Sequence, residues 1–230
     1  MIFRVKFNKE DDMIYISHLD IQKVLQRAFR RAGISLVHSQ GFNPHPKISY
    51  GNALALGTES QGEYFDVETC DDMETSEFLD SMNNTLPKGI KFLEAKEITS
   101  QEQSLAKTIE YGEYLFTIEL EKALDKNFVK ERLLNFLSQE EILITKKNKK
   151  GKMVESDIRP MIKVLDLVDL NEEKIIFEAI LSTGSKANLN TSILIPKLLE
   201  MIDVEIDPLD VDILRRDLFK LNGEELENIM

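Results

Sequence analysis

Ile2-Phe3-Arg4-Val5-Lys6-Phe7-Asn8 and, a little further on, Ser17-His18-Leu19-Asp20-Ile21-Gln22-Lys23-Val24-Leu25-Gln26-Arg27-Ala28-Phe29-Arg30-Arg31-Ala32-Gly33 decide the fold class. In the first stretch Phe3, Val5 and Phe7 alternate with Arg4 and Lys6, the period of a strand. In the second, Ser17 with Asp20 three positions later is a capping-box pattern that opens a helix at His18. Ile21, Leu25, Ala28, Phe29 and Ala32 then form one apolar stripe, and Gly33 supplies a left-handed stop. Lys23, Arg27, Arg30 and Arg31 occupy the opposite face. Outward from this pair, Ile34–His38 reads as a short strand and Glu63–Thr69 as another. A helix from Glu74 to Asn84, the turn Leu86-Pro87-Lys88-Gly89 and a strand Ile90–Glu97 follow. The order is βαββαβ, a ferredoxin-like sandwich over residues 1–100.

The second half has the same order with weaker signals. Tyr114, Phe116, Ile118 and Leu120 alternate on a strand, and Phe128, Leu133, Leu134 and Leu137 mark a helix from Asp125 to Ser138. Strands are expected at Ile142–Lys147, Pro160–Leu167 and Lys174–Ser182. A short helix is expected to open at Pro196, a residue suited to a first helical turn, and Val211–Phe219 to close the sheet. The polar stretch 98–110 is the natural join. The expected class is therefore α+β, two tandem ferredoxin-like domains at 1–100 and 108–230.

Composition narrows the function. The chain has 230 residues and a formal net charge of −12. Its single cysteine, Cys70, excludes an internal disulfide and an all-cysteine metal or iron–sulfur site. No run approaches the ~18 apolar residues of a membrane span, and the opening segment lacks a signal-peptide core, so a cytoplasmic protein is expected. The charge is uneven. Residues 1–50 carry Arg4, Lys6, Lys9, Lys23, Arg27, Arg30, Arg31 and Lys47 against Glu10, Asp11, Asp12 and Asp20, together with all three histidines, His18, His38 and His45. A polar working face on an acidic body is the expectation.

The most informative connection is Ser39-Gln40-Gly41-Phe42-Asn43-Pro44-His45-Pro46-Lys47, continuing through Gly51 to Gly57. About two dozen residues between strands is long for a compact domain, where about 4–6 is usual and longer loops often carry function. Pro44 and Pro46 stiffen it. Ser39, Gln40, Phe42, Asn43, His45 and Lys47 offer hydroxyl, amide, imidazole, ammonium and a stacking ring, a set suited to a phosphate-bearing ligand. A purely structural loop, its prolines limiting unfolded-state entropy, is the competing reading. Arg27, Arg30 and Arg31 would hold phosphates, or be a solvated helix face. His18, at a helix start where free amides favour anions, is a candidate base, as is His45; both could equally be structural. The three histidines fit no metal-ligand spacing. In the second half, Arg159 of Asp157-Ile158-Arg159-Pro160, Ser185 and Asn188 of Gly184-Ser185-Lys186-Ala187-Asn188, and Arg215 are further candidates. Lys146, Lys147, Lys149, Lys150 and Lys152 make a basic hairpin tip, which reads as a solvated edge or a polyanion clamp.

At Ser17-His18-Leu19-Asp20, Ser39-Gln40-Gly41-Phe42-Asn43-Pro44-His45-Pro46, Gly62-Glu63-Tyr64-Phe65-Asp66 and Asp157-Ile158-Arg159-Pro160 the sequence resembles the radical SAM-linked proteins, bacterial domains of unassigned function. The resemblance covers essentially the whole chain. It implies a partner, a radical SAM enzyme fused to or encoded beside such domains, which would carry S-adenosylmethionine and the iron–sulfur cluster. It carries over no catalytic residue. This chain binds neither cofactor on that reading, because one cysteine cannot hold a cluster.

Three functions follow as expectations: a module that binds tRNA, rRNA or another phosphate-bearing ligand and presents it to a separate radical SAM modification enzyme, a metal-independent RNA-processing enzyme with a histidine base, or a protein–protein adaptor. The first requires the proline-stiffened loop and the arginine helix to share one electropositive pocket.

Overall fold

A computed structural model describes residues 1–147 and 151–230, with Lys146 and Lys147 described by backbone alone. The fold is mixed α+β with mostly antiparallel strands. The chain divides into two compact units, Met1–Glu110 with Arg215–Met230, and Tyr111–Leu214. Placing the last residues with the first unit departs from the expected boundary, which kept them in the second.

In the first unit, β1 (Ile2–Lys9) leads through a 3-10 turn at Asp11–Tyr15 into α1 (His18–Arg31). The cap forms as the sequence predicts. Ser17 Oγ accepts a hydrogen bond from the Asp20 amide and donates one to the Asp20 carboxylate, an arrangement worth about 1 kcal/mol. Ile21, Leu25, Ala28 and Phe29 are buried, and Gly33 ends the helix at a φ of 73°. Then come β2 (Ile48–Tyr50), β3 (Thr58–Glu68), α2 (Thr75–Asn83) and β4 (Phe92–Ile98). The strands run antiparallel in the order β4-β1-β3-β2.

The expected strand at Ile34–His38 does not form. It makes the single bridges Leu36–Thr69 and His38–Pro46, with the Val37 amide donating to the Glu68 carbonyl and the Cys70 amide to that of Ser35. The loop folds back on itself: the Ser39 amide donates to the His45 carbonyl, and the Lys47 amide to that of Val37. The edge of the sheet is instead filled by β2, which pairs Ile48, Ser49 and Tyr50 with Val67, Asp66 and Phe65.

One face of this sheet is covered by both helices. Phe3 stacks on Phe78 with ring centroids 4.4 Å apart, and Phe65 touches Phe7, Phe29, Tyr50 and Phe92. The alternating Arg4 and Lys6 are not left to solvent on the other face. Arg4, 3% exposed, forms a two-bond ion pair with Asp66, its register partner on β3, and donates to the Gln103 carbonyl. The polar stretch expected to be a linker thus folds over the sheet, burying Leu105 of the one-turn α3 (Leu105–Thr108) and Ile109.

In the second unit β5 (Tyr111–Glu119) and α4 (Lys126–Leu137) are followed by the hairpin of β6 (Leu143–Lys147) and β7 (Met153–Asp157). β8 (Ile162–Leu170), β9 (Lys174–Ser182) and α5 (Thr191–Ile202) complete it, with strand order β5-β9-β8, all antiparallel. Phe116, Ile118, Phe177, Leu194 and Leu198 are fully buried in its core. Pro196 lies inside α5 rather than opening it, because Asn190 caps the helix earlier by accepting from the Ser192 amide. The hydrogen bond a proline forfeits is the one to the residue four before it; here that is Ser192, exposed like Pro196 itself. Of the expected basic hairpin tip, residues 148–150 and the side chains of Lys146 and Lys147 lie outside the described residues. β10 (Asp212–Asn222) carries the chain back to the first unit, where it lies beside β3 and pairs with β11 (Glu225–Asn228). Gly62 on β3 permits that approach, since a Cβ there would sit 2.6 Å from the Asp217 Cα.

Candidate functional site

The Gly62-Glu63-Tyr64-Phe65-Asp66 run explains itself in this frame. Phe65 enters the aromatic core and Asp66 holds Arg4. Tyr64 Oη donates to Asp217, whose carboxylate also receives Lys6 Nζ at 2.7 Å. Glu63 receives Nε and Nη2 of Arg215 at 2.8 and 2.5 Å and the Ser60 hydroxyl at 2.6 Å. Arg215 is 2% exposed and also donates to the Asn52 carbonyl. It therefore braces the first unit from within, where the sequence suggested a cleft charge in the second.

Beside this ion pair lies a pocket of about 20 Å³, lined by Lys9, His18, Tyr50, Asn52, Leu54 and Glu63 together with Phe7, Ile21, Gly51 and Tyr64. A space of that size holds about one water-sized group. Lys9 is 3% exposed and donates from Nζ to the carbonyls of Ile14 and Ile16 at 3.1 and 3.0 Å. Burial pulls its pKa down, against the opposing pull of Glu63. His18, the first residue of α1, sets its ring edge-on to Tyr50 at 5.4 Å and its Nε2 3.0 Å from the Gln22 side-chain nitrogen. Burial lowers its pKa, assisted by Lys9 and Arg215 and opposed by Glu63. Tyr50 is pushed up by burial, so its hydroxyl stays protonated, and that oxygen is buried without a hydrogen-bond partner.

His18 carries a testable pH dependence. Between its lowered native value and the ordinary 6.5, the unfolded chain binds more protons than the folded one, so stability falls as pH drops through 6.5. Urea unfolding from about pH 8 to about pH 5 should show a loss in the wild type that is smaller in His18→Gln. The imidazole NMR titration should have its midpoint below 6.5; a midpoint above that value would contradict this environment.

The other predicted site residues are dispersed. Ser39, Gln40, Phe42, Asn43, His45 and Lys47 are all exposed in the proline-braced loop, with Phe42 at 111% relative exposure. Ser39 Oγ accepts from the His45 amide, and Lys47 Nζ reaches Glu68 at 2.8 Å. Arg27 and Arg30 are exposed on α1, and Arg31 donates to the Thr85 carbonyl. Neither the three arginines nor Ser39–Lys47 line the pocket, so the shared electropositive pocket expected of the loop and the arginine helix is not found there; of the expected set only His18 lines it. The same long connection reaches it further on, through Tyr50, Gly51, Asn52 and Leu54. Arg159 donates to the carbonyls of Leu137 and Ile162, fixing the corner before β8. Ser185 and Asn188 are exposed in a tight loop closed by the Gly184 amide on the Ala187 carbonyl. Lys9 and Glu63 were missed by the sequence reading; the one available signal was their charge within otherwise apolar strand positions.

The fold and pocket define an α+β protein with a small cavity against a buried ion pair. By sequence, residues 3–191 match the family described as "Uncharacterized protein conserved in bacteria (DUF2344)", and the chain belongs to that family. No protein of curated function matches the sequence. By structure, the chain is similar to one in the crystal structure of a Cbf5-Nop10-Gar1 complex, with a TM-score of 0.53 and 9% identity, over 96% of this chain and 50% of that one. It is also similar to a chain of the archaeal box H/ACA sRNP Nop10-Cbf5 complex, with a TM-score of 0.49 and 10% identity, over 93% and 46%. The chain spans about half the length of these structural neighbours. Among the described residues no helix is long and apolar enough to cross a membrane.

Proposed function

We propose that this protein is an accessory module of the cytoplasm that binds RNA, either tRNA or rRNA, and presents it to a separate radical SAM modification enzyme. The observation that carries the reading is the wholly exposed Phe42 on a self-bonded, proline-braced loop. An aromatic ring held out in water is costly unless something stacks on it, and nucleobases do so without regard to sequence. Among the described residues the loop and the arginine helix share no pocket, so the contact surface proposed is this exposed one, and its neighbourhood in sequence suits a polyanion. From Ile21 to Thr58 the chain has Lys23, Arg27, Arg30, Arg31 and Lys47 and no acidic residue, within a protein of net charge −12. The partner enzyme rests on the resemblance described above. The tandem ferredoxin-like reading belongs here too, supported in the first unit by the β4-β1-β3-β2 order.

Filter binding of total cellular RNA at low and moderate salt tests the proposal. Retention should fall steeply with salt. Phe42→Ala should weaken it at least about fivefold, the lower end of one lost stacking contact, and Arg27→Glu should weaken it and flatten the salt dependence. Retention that ignores salt, with Arg27→Glu matching the wild type, would overturn the reading.

A second reading, RNA cleavage with a histidine base, is favoured by one observation: His18 lines a pocket beside Lys9, where burial lowers its pKa. RNA left intact by the purified protein in the absence of metal would dismiss it.

A further inference from the structure

Ala53-Leu54-Ala55-Leu56 is a run of four apolar residues in a loop, and it stays at the surface: Ala53, Ala55 and Leu56 are exposed and Leu54 is half-buried. A run of this length outside the core is disfavoured unless it serves a purpose. The turn that follows fixes its display. The Thr58 amide donates to the Ala55 carbonyl and Gly57 has a φ of 77°, the pattern of a type II turn with Leu56 at its first corner. A second segment, residues 14–19, is tied to this one. The Gly57 amide donates to the Ile14 carbonyl at 3.0 Å, and Leu54 and His18 line the same small pocket. From these two segments Tyr15, Leu19 and Leu56 stand 71%, 66% and 65% exposed. Together with Leu54 they belong to none of the three buried clusters. Their display is built in, since the buried Lys9 donates from Nζ to the carbonyls of Ile14 and Ile16, and Ser17 caps α1. Single exposed apolar side chains are ordinary, whereas several on adjoining segments mark an interaction site.

We propose that this patch docks a partner protein whose contacting segment carries apolar side chains edged by lysine or arginine. Charge complementarity selects that occupant. Asp11 and Asp12 share the 3-10 turn with Tyr15, Asp20 follows Leu19, and all three are exposed. Residues 10–20 and 53–59 hold the carboxylates Glu10, Asp11, Asp12, Asp20 and Glu59 and no lysine or arginine. Asp11 and Asp20 meet Lys88 and Lys23 at 3.2 and 3.0 Å, but both pairs are exposed and such pairs hold weakly, so an arriving cation can join or displace them. Nucleic acid and an anionic membrane would be repelled by these carboxylates. A second copy of this chain would set like charges against each other across its two-fold axis. Apolar side chains supply the docking energy and basic ones the steering. An accessory module needs a protein-facing surface apart from its RNA-facing one, yet the assignment rests on the patch alone and does not require that RNA binds.

The test is an amide NMR titration of the full chain with two synthetic amphipathic helical peptides of one leucine pattern, their polar positions filled by lysine in one and by glutamate in the other. The leucine–lysine peptide should shift the amides of residues 14–20 and 53–58 first, and the leucine–glutamate peptide should not. Leu19→Ser/Leu56→Ser changes two exposed sites outside the core. It should weaken binding of the lysine peptide about tenfold with an unchanged circular dichroism spectrum. Asp11→Asn/Asp12→Asn should weaken it as well and flatten its salt dependence. No shift, equal responses to both peptides, shifts spread over the acidic surface at large, or equal affinity in the serine variant would overturn the assignment. A dimer in sedimentation that Leu56→Ser dissolves would overturn it in favour of a second copy. Loss of RNA retention in the serine variant would overturn it in favour of nucleic acid. The two proposals fail separately, since Phe42→Ala should weaken RNA retention and leave peptide binding intact, and the serine variant should do the reverse.

Discussion

Replacing Arg215 with methionine is expected to lower the unfolding free energy by about 3–5 kcal/mol, the usual cost of stranding one member of a buried ion pair. Arg215 and Glu63 are 2% and 7% exposed, and two charge-assisted bonds join them. Without the guanidinium, Glu63 keeps only the Ser60 hydroxyl, and the Asn52 carbonyl also loses its donor. The loss comes from the stranded carboxylate rather than from any large net gain of the pair itself. The double variant Arg215→Met/Glu63→Leu should therefore regain most of it, because well-packed apolar replacements of buried pairs are often neutral. Equilibrium urea unfolding measures both. A single-variant loss below about 1 kcal/mol, the range of an exposed pair, would show that the pair is solvated.

Phe65→Ala is expected to cost about 3–5 kcal/mol, the sum of lost transfer energy and the cavity left behind. Phe65 is fully buried and its ring meets those of Phe7, Phe29, Tyr50 and Phe92, at centroid distances from 5.3 to 6.3 Å. Four aromatic neighbours cannot all move inward to fill the gap, so the site collapses poorly. Phe65→Leu should cost distinctly less. Because Tyr50 rests on Phe65, the alanine variant should also disturb the Tyr50 ring signals, reporting that the core supports the pocket wall. An unfolding midpoint matching the wild type would mean the aromatic cluster contributes little.

The local grammar of the first unit was legible. Alternation in Ile2–Asn8, the Ser17 cap, the stripe through Phe29 and the Gly33 stop all act within one element, where periodicity and capping govern. Two outcomes share one cause. Ile34–His38 has strand-like residues, but the His38–Pro46 bridge and the loop's own backbone bonds claim it, and three residues further along the chain fill the edge instead. Arg4 and Lys6 alternate as a solvated face should, yet Asp66 and Asp217 receive them beneath the folded-over stretch near Leu105. Neither outcome is encoded locally. The site was less legible than the fold for the same reason: Arg215 meets Glu63 across 152 positions, and nothing near either residue in sequence announces the other. His18 was found because a helix start is a local feature, and Lys9 was missed because its value depends on what α1 and β2 bring to it.

The return of Arg215–Met230 to the first unit has a bearing on biosynthesis. While the ribosome is still making the middle of the chain, β3 lacks β10 at Gly62 and Glu63 lacks Arg215. The early portion must wait, incompletely closed, for β10 to emerge, so the first unit cannot close before the second has been made. Long-range closure of this kind is slow and leaves an unpaired strand edge open to association in the interval, a vulnerability that a chaperone would relieve.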